Sequence, residues 1–169
     1  PLFITRGVPG THDTKMLFSC IKALKNSKFK KILIPKFDKA IDDRTSKKNW
    51  LRVNKKPNIV IFEGWCVGVK PQKNKNIIVP VNILEKHKDR KKNWRNKVNQ
   101  ELKRDYKKIF NLIDKIIFLK VPSFKYVYKW RLLQEKKLRI TSKGNKTMSD
   151  NQVKNFIMFY ERLTKHMLK

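Results

Sequence analysis

The sequence predicts an α/β fold in which helices flank a parallel sheet, and three observations carry that prediction. Ile59-Val60-Ile61-Phe62 is an unbroken apolar run, the pattern of a strand buried on both faces. Lys115-Ile116-Ile117-Phe118-Leu119-Lys120-Val121 holds a second such run and is stopped by Pro122. Around them, apolar residues recur every three or four positions over stretches long enough for amphipathic helices. The first run ends in Glu63-Gly64-Trp65, a carboxylate at the carboxyl end of a strand. Open α/β sheets bind their ligands at that edge.

Size and composition bound the rest. With 169 residues and 40% hydrophobic content, the chain is expected to form a single domain, 1–169, with a real core. No apolar run approaches the roughly 20 residues that span a bilayer, so no membrane association is expected. The start, Pro1-Leu2-Phe3-Ile4-Thr5-Arg6, has neither the basic nor the long apolar region of a signal peptide. It lacks Met, and the chain is expected to begin within a longer protein. Two cysteines make no disulfide framework, which points to a reducing, cytoplasmic setting. Two cysteines and three histidines are scattered without the spacing of a metal site.

The formal charge of +30 invites a nucleic-acid reading, since lysines neutralise phosphates. The lysines, however, are spread from Lys15 to Lys169 over helix faces and loops alike, without an RNA-recognition, zinc-finger or helix-turn-helix signature. A compositional bias toward lysine and asparagine accounts for this better. Specific nucleic-acid binding is not expected.

In chain order, Arg6-Gly7-Val8-Pro9-Gly10-Thr11-His12-Asp13 is turn punctuation followed by polar groups. Thr11 or Asp13 caps a helix from Thr14 to about Leu24, with Met16, Leu17, Cys20, Ile21 and Leu24 on one face. Lys31 to Pro35 reads as a short extended segment. The charged cluster from Lys36 to Arg44 is, taken alone, a solvated loop. A long helix from about Asp89 to Ile113 carries the stripe Trp94, Val98, Leu102, Tyr106, Ile109, Phe110 and Ile113, which reads as core. Ser123 caps a helix bearing Tyr126, Val127, Trp130, Leu133 and Leu138, in which Arg131 and Glu135 stand at i,i+4. Arg139 to Thr147 reads as a polar loop. Ser149-Asp150-Asn151-Gln152 is a capping box for a last helix, with Val153, Phe156, Ile157, Tyr160, Leu163 and Met167 facing the core.

Several of these strings, in this order, resemble the D-glycerate 3-kinases, P-loop kinases related to uridine kinase and phosphoribulokinase. They are R-G-V-P-G-T-H-D from Arg6, I-P-K-F-D-K-A-I-D-D-R from Ile34, E-G-W-C-V-G-V-K-P from Glu63, P-V-N-I-L-E from Pro80, W-R-L-L-Q-E from Trp130 and M-S-D-N-Q-V-K-N-F from Met148. The resemblance implies a P-loop NTPase-like parallel sheet flanked by helices, ATP and Mg²⁺ as cofactors, and a small hydroxy acid, D-glycerate, as acceptor. It implies that Arg6, His12, Asp13, Asp38, Lys39 and Arg44 bind the acceptor. It further implies that Glu63 acts on the Mg²⁺ side, directly or through water, and that Arg131 stabilises the transferring phosphoryl group.

One part is missing. No G-x-x-x-x-G-K-S/T string, whose backbone N–H groups and lysine cradle phosphates, occurs in the 169 residues. In the family it precedes the R-G-x-P-G-T-H-D segment. The chain is therefore expected to be the C-terminal portion of a P-loop kinase domain, incomplete at its N-terminus and inactive alone. A second chain supplying the P-loop is one implied partner. Two other readings stay open: a degenerate, non-catalytic module binding nucleic acid through its basic surface, and a kinase for another small alcohol or a nucleoside.

Overall fold

The computed structural model describes residues 2–38, 41, 43–141 and 147–169. Its framework is helical. Asp13 caps α1 (Thr14–Lys25) by accepting from the Met16 N–H at 3.0 Å, so of the two candidate caps the carboxylate is used. Four short strands follow: β1 (Ile32–Ile34), β2 (Phe37–Asp38), β3 (Asp43–Arg44) and β4 (Leu51–Val53). They pair antiparallel in two separate ribbons. Ile32 faces Val53 and Ile34 faces Leu51 in one; Phe37 faces Arg44 and Asp38 faces Asp43 in the other.

The remaining elements are α2 (Lys75–Ile78), α3 (Ile83–Lys88), α4 (Asn93–Glu101), a π-helical turn (Leu102–Tyr106), α5 (Lys107–Phe110), α6 (Phe124–Thr141) and α7 (Asp150–Met167). The rod formed by α4, the π turn and α5 carries the expected stripe as far as Phe110, and Ile113 lies beyond its end. Trp94, Val98, Leu102, Tyr106 and Leu163 pack with Val8, Cys66 and Val69 in one core cluster. The rod begins at Asn93 rather than near Asp89. Asp89 stays outside the helix and its carboxylate accepts from the Trp94 and Arg95 N–H groups, while Lys92 takes a left-handed φ of 62° to make the turn. On α7 the capping box forms as expected, with Ser149 and Gln152 exchanging hydrogen bonds. Helix α6 runs on through Thr141, into the stretch from Arg139 expected to be loop.

Two buried ion pairs lock the short helices to the rod and to α7. Arg162 meets Glu85 at 2.6 Å and Arg95 meets Asp89 at 3.0 Å, all four side chains being almost inaccessible. The same guanidiniums donate to the carbonyls of Asn76, Ile77, Ile78 and Val79. Two arginines thus satisfy the open carbonyl end of α2, a role that would otherwise fall to water.

The expected parallel sheet is not present among the described residues. Neither Ile59–Phe62 nor Lys115–Val121 forms a strand, and several of their apolar side chains face solvent, Ile61 at 86% and Ile117 at 88% exposure. The physical reason is non-local. A strand in a parallel sheet needs a ladder partner for its N–H and C=O groups, and composition can supply only the apolar faces. These two segments have the composition without the partner.

Candidate active site

The loop from Arg6 to Asp13 is the centre of the site. Thr11 folds it, accepting from the Gly7 N–H at 2.9 Å and donating to the Val8 carbonyl at 2.8 Å. Gly7 has φ +118°, a conformation that disfavours any side chain, and a Cβ there would come within 3.1 Å of the Tyr160 ring and hydroxyl. Tyr160, from α7, donates its hydroxyl to the Arg6 carbonyl at 2.8 Å. The Trp65 indole N–H donates to the Gly7 carbonyl at 2.7 Å, and its ring meets Tyr160 edge-on at 5.1 Å between centroids. The E-G-W segment is thereby fastened to the loop, and Glu63 stands two residues before that anchor. Glu63 is exposed, and among the described residues it makes no hydrogen bond or ion pair.

The acceptor candidates gather on the other side of the loop. Arg6 lies over the Phe37 ring, 3.9 Å from its centroid. Arg44 is the cross-strand partner of Phe37, and its guanidinium reaches the Asp13 carboxylate at 3.0 Å. Asp38 follows Phe37 on β2. Asp13 thus caps α1 with one oxygen and holds Arg44 with the other. The Met16 N–H and the Arg44 charge keep its carboxyl below the usual range. His12 touches the Tyr106 hydroxyl through Nδ1; burial of part of its ring, reinforced by the Arg6 charge, lowers its pKa although the residue keeps an exposed face. Of the candidates for acceptor binding, Arg6, His12, Asp13, Asp38 and Arg44 share this region, and Lys39 lies outside the described residues.

Arg131 occupies a setting of its own. It pairs with Glu135 at 2.6 Å and stands 5.6 Å from the centroid of the Phe156 ring. The pair that stands at i,i+4 in the sequence forms with a buried carboxylate: Glu135 is only 2% exposed and also accepts from the Met148 N–H at 2.6 Å. Burial raises the Tyr160 pKa, and the charges of Arg131 and Arg6 both oppose that rise, so the tyrosine hydroxyl senses both arginines. Tyr160, Trp65 and Tyr106 are the residues that sequence reasoning left out of the site. For the two tyrosines the one signal was a polar atom on an otherwise apolar stripe, which needs a partner when desolvated, and Trp65 was marked only as part of the E-G-W string.

Chemically, the region offers guanidiniums suited to a carboxylate, a histidine with one open face, and carboxylates able to accept from hydroxyls. Among the described residues no three His, Cys, Asp or Glu side chains cluster to hold a metal by themselves.

Comparison with known proteins gives this arrangement its context. No family model matches the chain. It is 34% identical over 171 residues to the uncharacterized kinase mug58 of Schizosaccharomyces pombe, a match covering 95% of the chain and 58% of that protein. It is 28% identical over 161 residues to the chloroplastic D-glycerate 3-kinase of Arabidopsis thaliana, covering 92% of the chain and 32% of that enzyme. Its fold matches the D-glycerate 3-kinase of Cryptococcus neoformans with a TM-score of 0.77 and 28% identity, over 98% of the chain and 59% of that structure. The YGR205w protein aligns with a TM-score of 0.71 at 29% identity, over 56% of its length. The chain therefore spans little more than half of most of these proteins and about a third of the plant enzyme. With its R-G-x-P-G-T-H-D loop, its E-G-W anchor and this fold, the chain is similar over nearly its whole length to D-glycerate 3-kinases.

Proposed function

We propose that the chain carries the acceptor-binding and lid portion of an ATP- and Mg²⁺-dependent kinase that phosphorylates D-glycerate to 3-phosphoglycerate. The observation supporting this reading is the link between two separate sequence strings: Arg6 lies over the Phe37 ring, and Arg44, the cross-strand partner of Phe37, pairs with Asp13, with His12 and Asp38 as chain neighbours of these residues. Arg6 and Arg44 balance the acceptor carboxylate, Asp38 accepts from a substrate hydroxyl, and Lys39 adds positive charge. Arg131 offsets the charge that develops on the phosphoryl oxygens. Such catalysis is mainly positioning and electrostatics.

Mg²⁺ is usually held by one or two carboxylates, several waters and the substrate phosphates. Glu63, exposed and unpaired among the described residues, fits one such place, directly or through water. The ion there supplies neutralisation of phosphate oxygens. For ATP the fit is incomplete, because the sequence holds no G-x-x-x-x-G-K-S/T string. A P-loop-bearing segment is the partner this reading requires.

The experiment has two arms. Chain 1–169 alone, given ATP, Mg²⁺ and D-glycerate, is expected to form no phosphoglycerate, and robust turnover would refute the need for a partner. Isothermal titration with D-glycerate is expected to show saturable binding, weakened about tenfold in Arg44→Ala. A nucleoside binding in place of D-glycerate would overturn the acceptor assignment.

A further inference from the structure

The π-helical turn at Leu102–Tyr106 interrupts the main helical rod and ends on a tyrosine that the site described above leaves without a task. Such turns inside α-helices are frequent at functional sites. Tyr106 is 4% exposed, and its hydroxyl lies against two groups of the Arg6–Asp13 loop. The Gly10 N–H approaches it at 3.4 Å, and the His12 Nδ1 is in hydrogen-bond contact. The rings of His12 and Tyr106 meet edge-on with centroids 6.0 Å apart.

The proton count around this hydroxyl is constrained. A backbone N–H can only donate, so toward Gly10 the tyrosine oxygen accepts. Its own proton then goes to His12 Nδ1, which must offer a lone pair, and the imidazole proton is left on Nε2. In the opposite arrangement Nδ1–H donates to the tyrosine. The Tyr106 proton then has no acceptor in any recorded contact, a costly state for a buried hydroxyl. The charged groups nearby are Arg6, acting on His12, and Glu101 and Asp105, acting on Tyr106. The Arg6 charge disfavours a doubly protonated imidazole.

We infer that Tyr106 is a positioning residue: its hydroxyl fixes His12 as the Nε2–H tautomer and so presents that N–H as a donor to an anionic or hydroxyl oxygen of the acceptor. The donor role rests on the acceptor-site reading given above, whereas the tautomer does not. The role differs from packing, because phenylalanine would fill the same space and supply no proton.

Long-range ¹H–¹⁵N correlation spectra of labelled chain 1–169 at pH 7.5 test it, with His87 and His166 as internal references. The expected result is a single Nε2–H tautomer for His12. In Tyr106→Phe, with the far-UV spectrum unchanged, His12 should become a mixture of tautomers. A predominantly Nδ1–H His12 in the unmodified chain overturns the inference without any variant, as does an unchanged tautomer in Tyr106→Phe. Addition of D-glycerate should shift the His12 Nε2–H resonance. A fixed Nε2–H tautomer indifferent to D-glycerate upholds the role of Tyr106 and overturns the donor role together with the acceptor reading.

Discussion

The Tyr160 hydroxyl donates to the carbonyl of Arg6 at 2.8 Å, joining positions 154 residues apart in the chain. This bond orients the loop that carries Arg6 and His12, and Trp65 braces the same tyrosine from the side. Replacing Tyr160 by phenylalanine keeps the ring and removes the bond. The expected loss of stability is about 1 kcal/mol, read from the urea midpoint. D-glycerate affinity should fall several-fold with it, because the Arg6 backbone is freed. A stability loss without an affinity loss would mean that the tyrosine serves packing alone.

The Glu85–Arg162 pair makes a sharper stability prediction. Both side chains are nearly inaccessible, and the guanidinium also serves the carbonyls of Asn76 and Val79. Glu85→Ala leaves a buried cation uncompensated, and breaking such a pair costs about 3–5 kcal/mol. Denaturant titration should show that loss. A change below about 1 kcal/mol would indicate that water reaches the pair.

How much of this could be read beforehand divides along local and non-local lines. Helix α1, the stripe on α4 and α5, and the capping box of α7 were legible because each is written in residues three or four apart, and the structure retains them. The sheet was not, since Ile59–Phe62 and Lys115–Val121 show strand composition while pairing depends on partners far along the chain. The turn at Asp89 was missed for a related reason. An aspartate in an apolar-periodic stretch gives no sign that its carboxylate will cap the next helix from outside it. In the site, the polar strings marked Arg6, His12, Asp13 and Arg44. Tyr106 and Tyr160 sat at helical spacing among aliphatic residues, where an aromatic side chain reads as core. Only folding reveals that their hydroxyls meet the Arg6–Asp13 loop.

Asp13 links stability to pH. Its carboxyl sits below the ordinary value because of the Met16 N–H and, after burial is set against it, Arg44. A depressed folded-state pKa contributes stability that is present above the unfolded value and is lost as pH falls through the folded one. Stability is therefore expected to decline on acidification below about pH 4, less steeply in Asp13→Asn than in the parent. At neutral pH, Asp13→Ala should cost about 1 kcal/mol through the lost cap. Parallel acid profiles for the parent and the Asp13→Asn variant would remove Asp13 from this account.

Glu63 should matter to chemistry and little to folding. Its exposure and lack of partners among the described residues leave the fold indifferent to Glu63→Gln, within about 0.5 kcal/mol. In an assembly that includes the P-loop-bearing segment, the same change is expected to depress turnover strongly if Glu63 serves the Mg²⁺ side as proposed. Undiminished turnover would take Glu63 out of the mechanism.

The last prediction concerns the two extended apolar segments. Ile59, Ile61, Ile117 and Leu119 each expose more than three quarters of their surface, so they contribute almost no burial to this fold. Exposed, unpaired apolar segments of this kind favour edge-to-edge association. The net charge of +30 opposes that association by long-range repulsion, which salt screens. Self-association of chain 1–169 should therefore grow as ionic strength rises, the reverse of an assembly held by ion pairs. Ile61→Thr combined with Leu119→Lys should suppress it in sedimentation velocity runs while changing the unfolding free energy by no more than about 0.5 kcal/mol per site. A loss of several kcal/mol in that variant would mean that these side chains are buried in the folded protein, which their exposure contradicts.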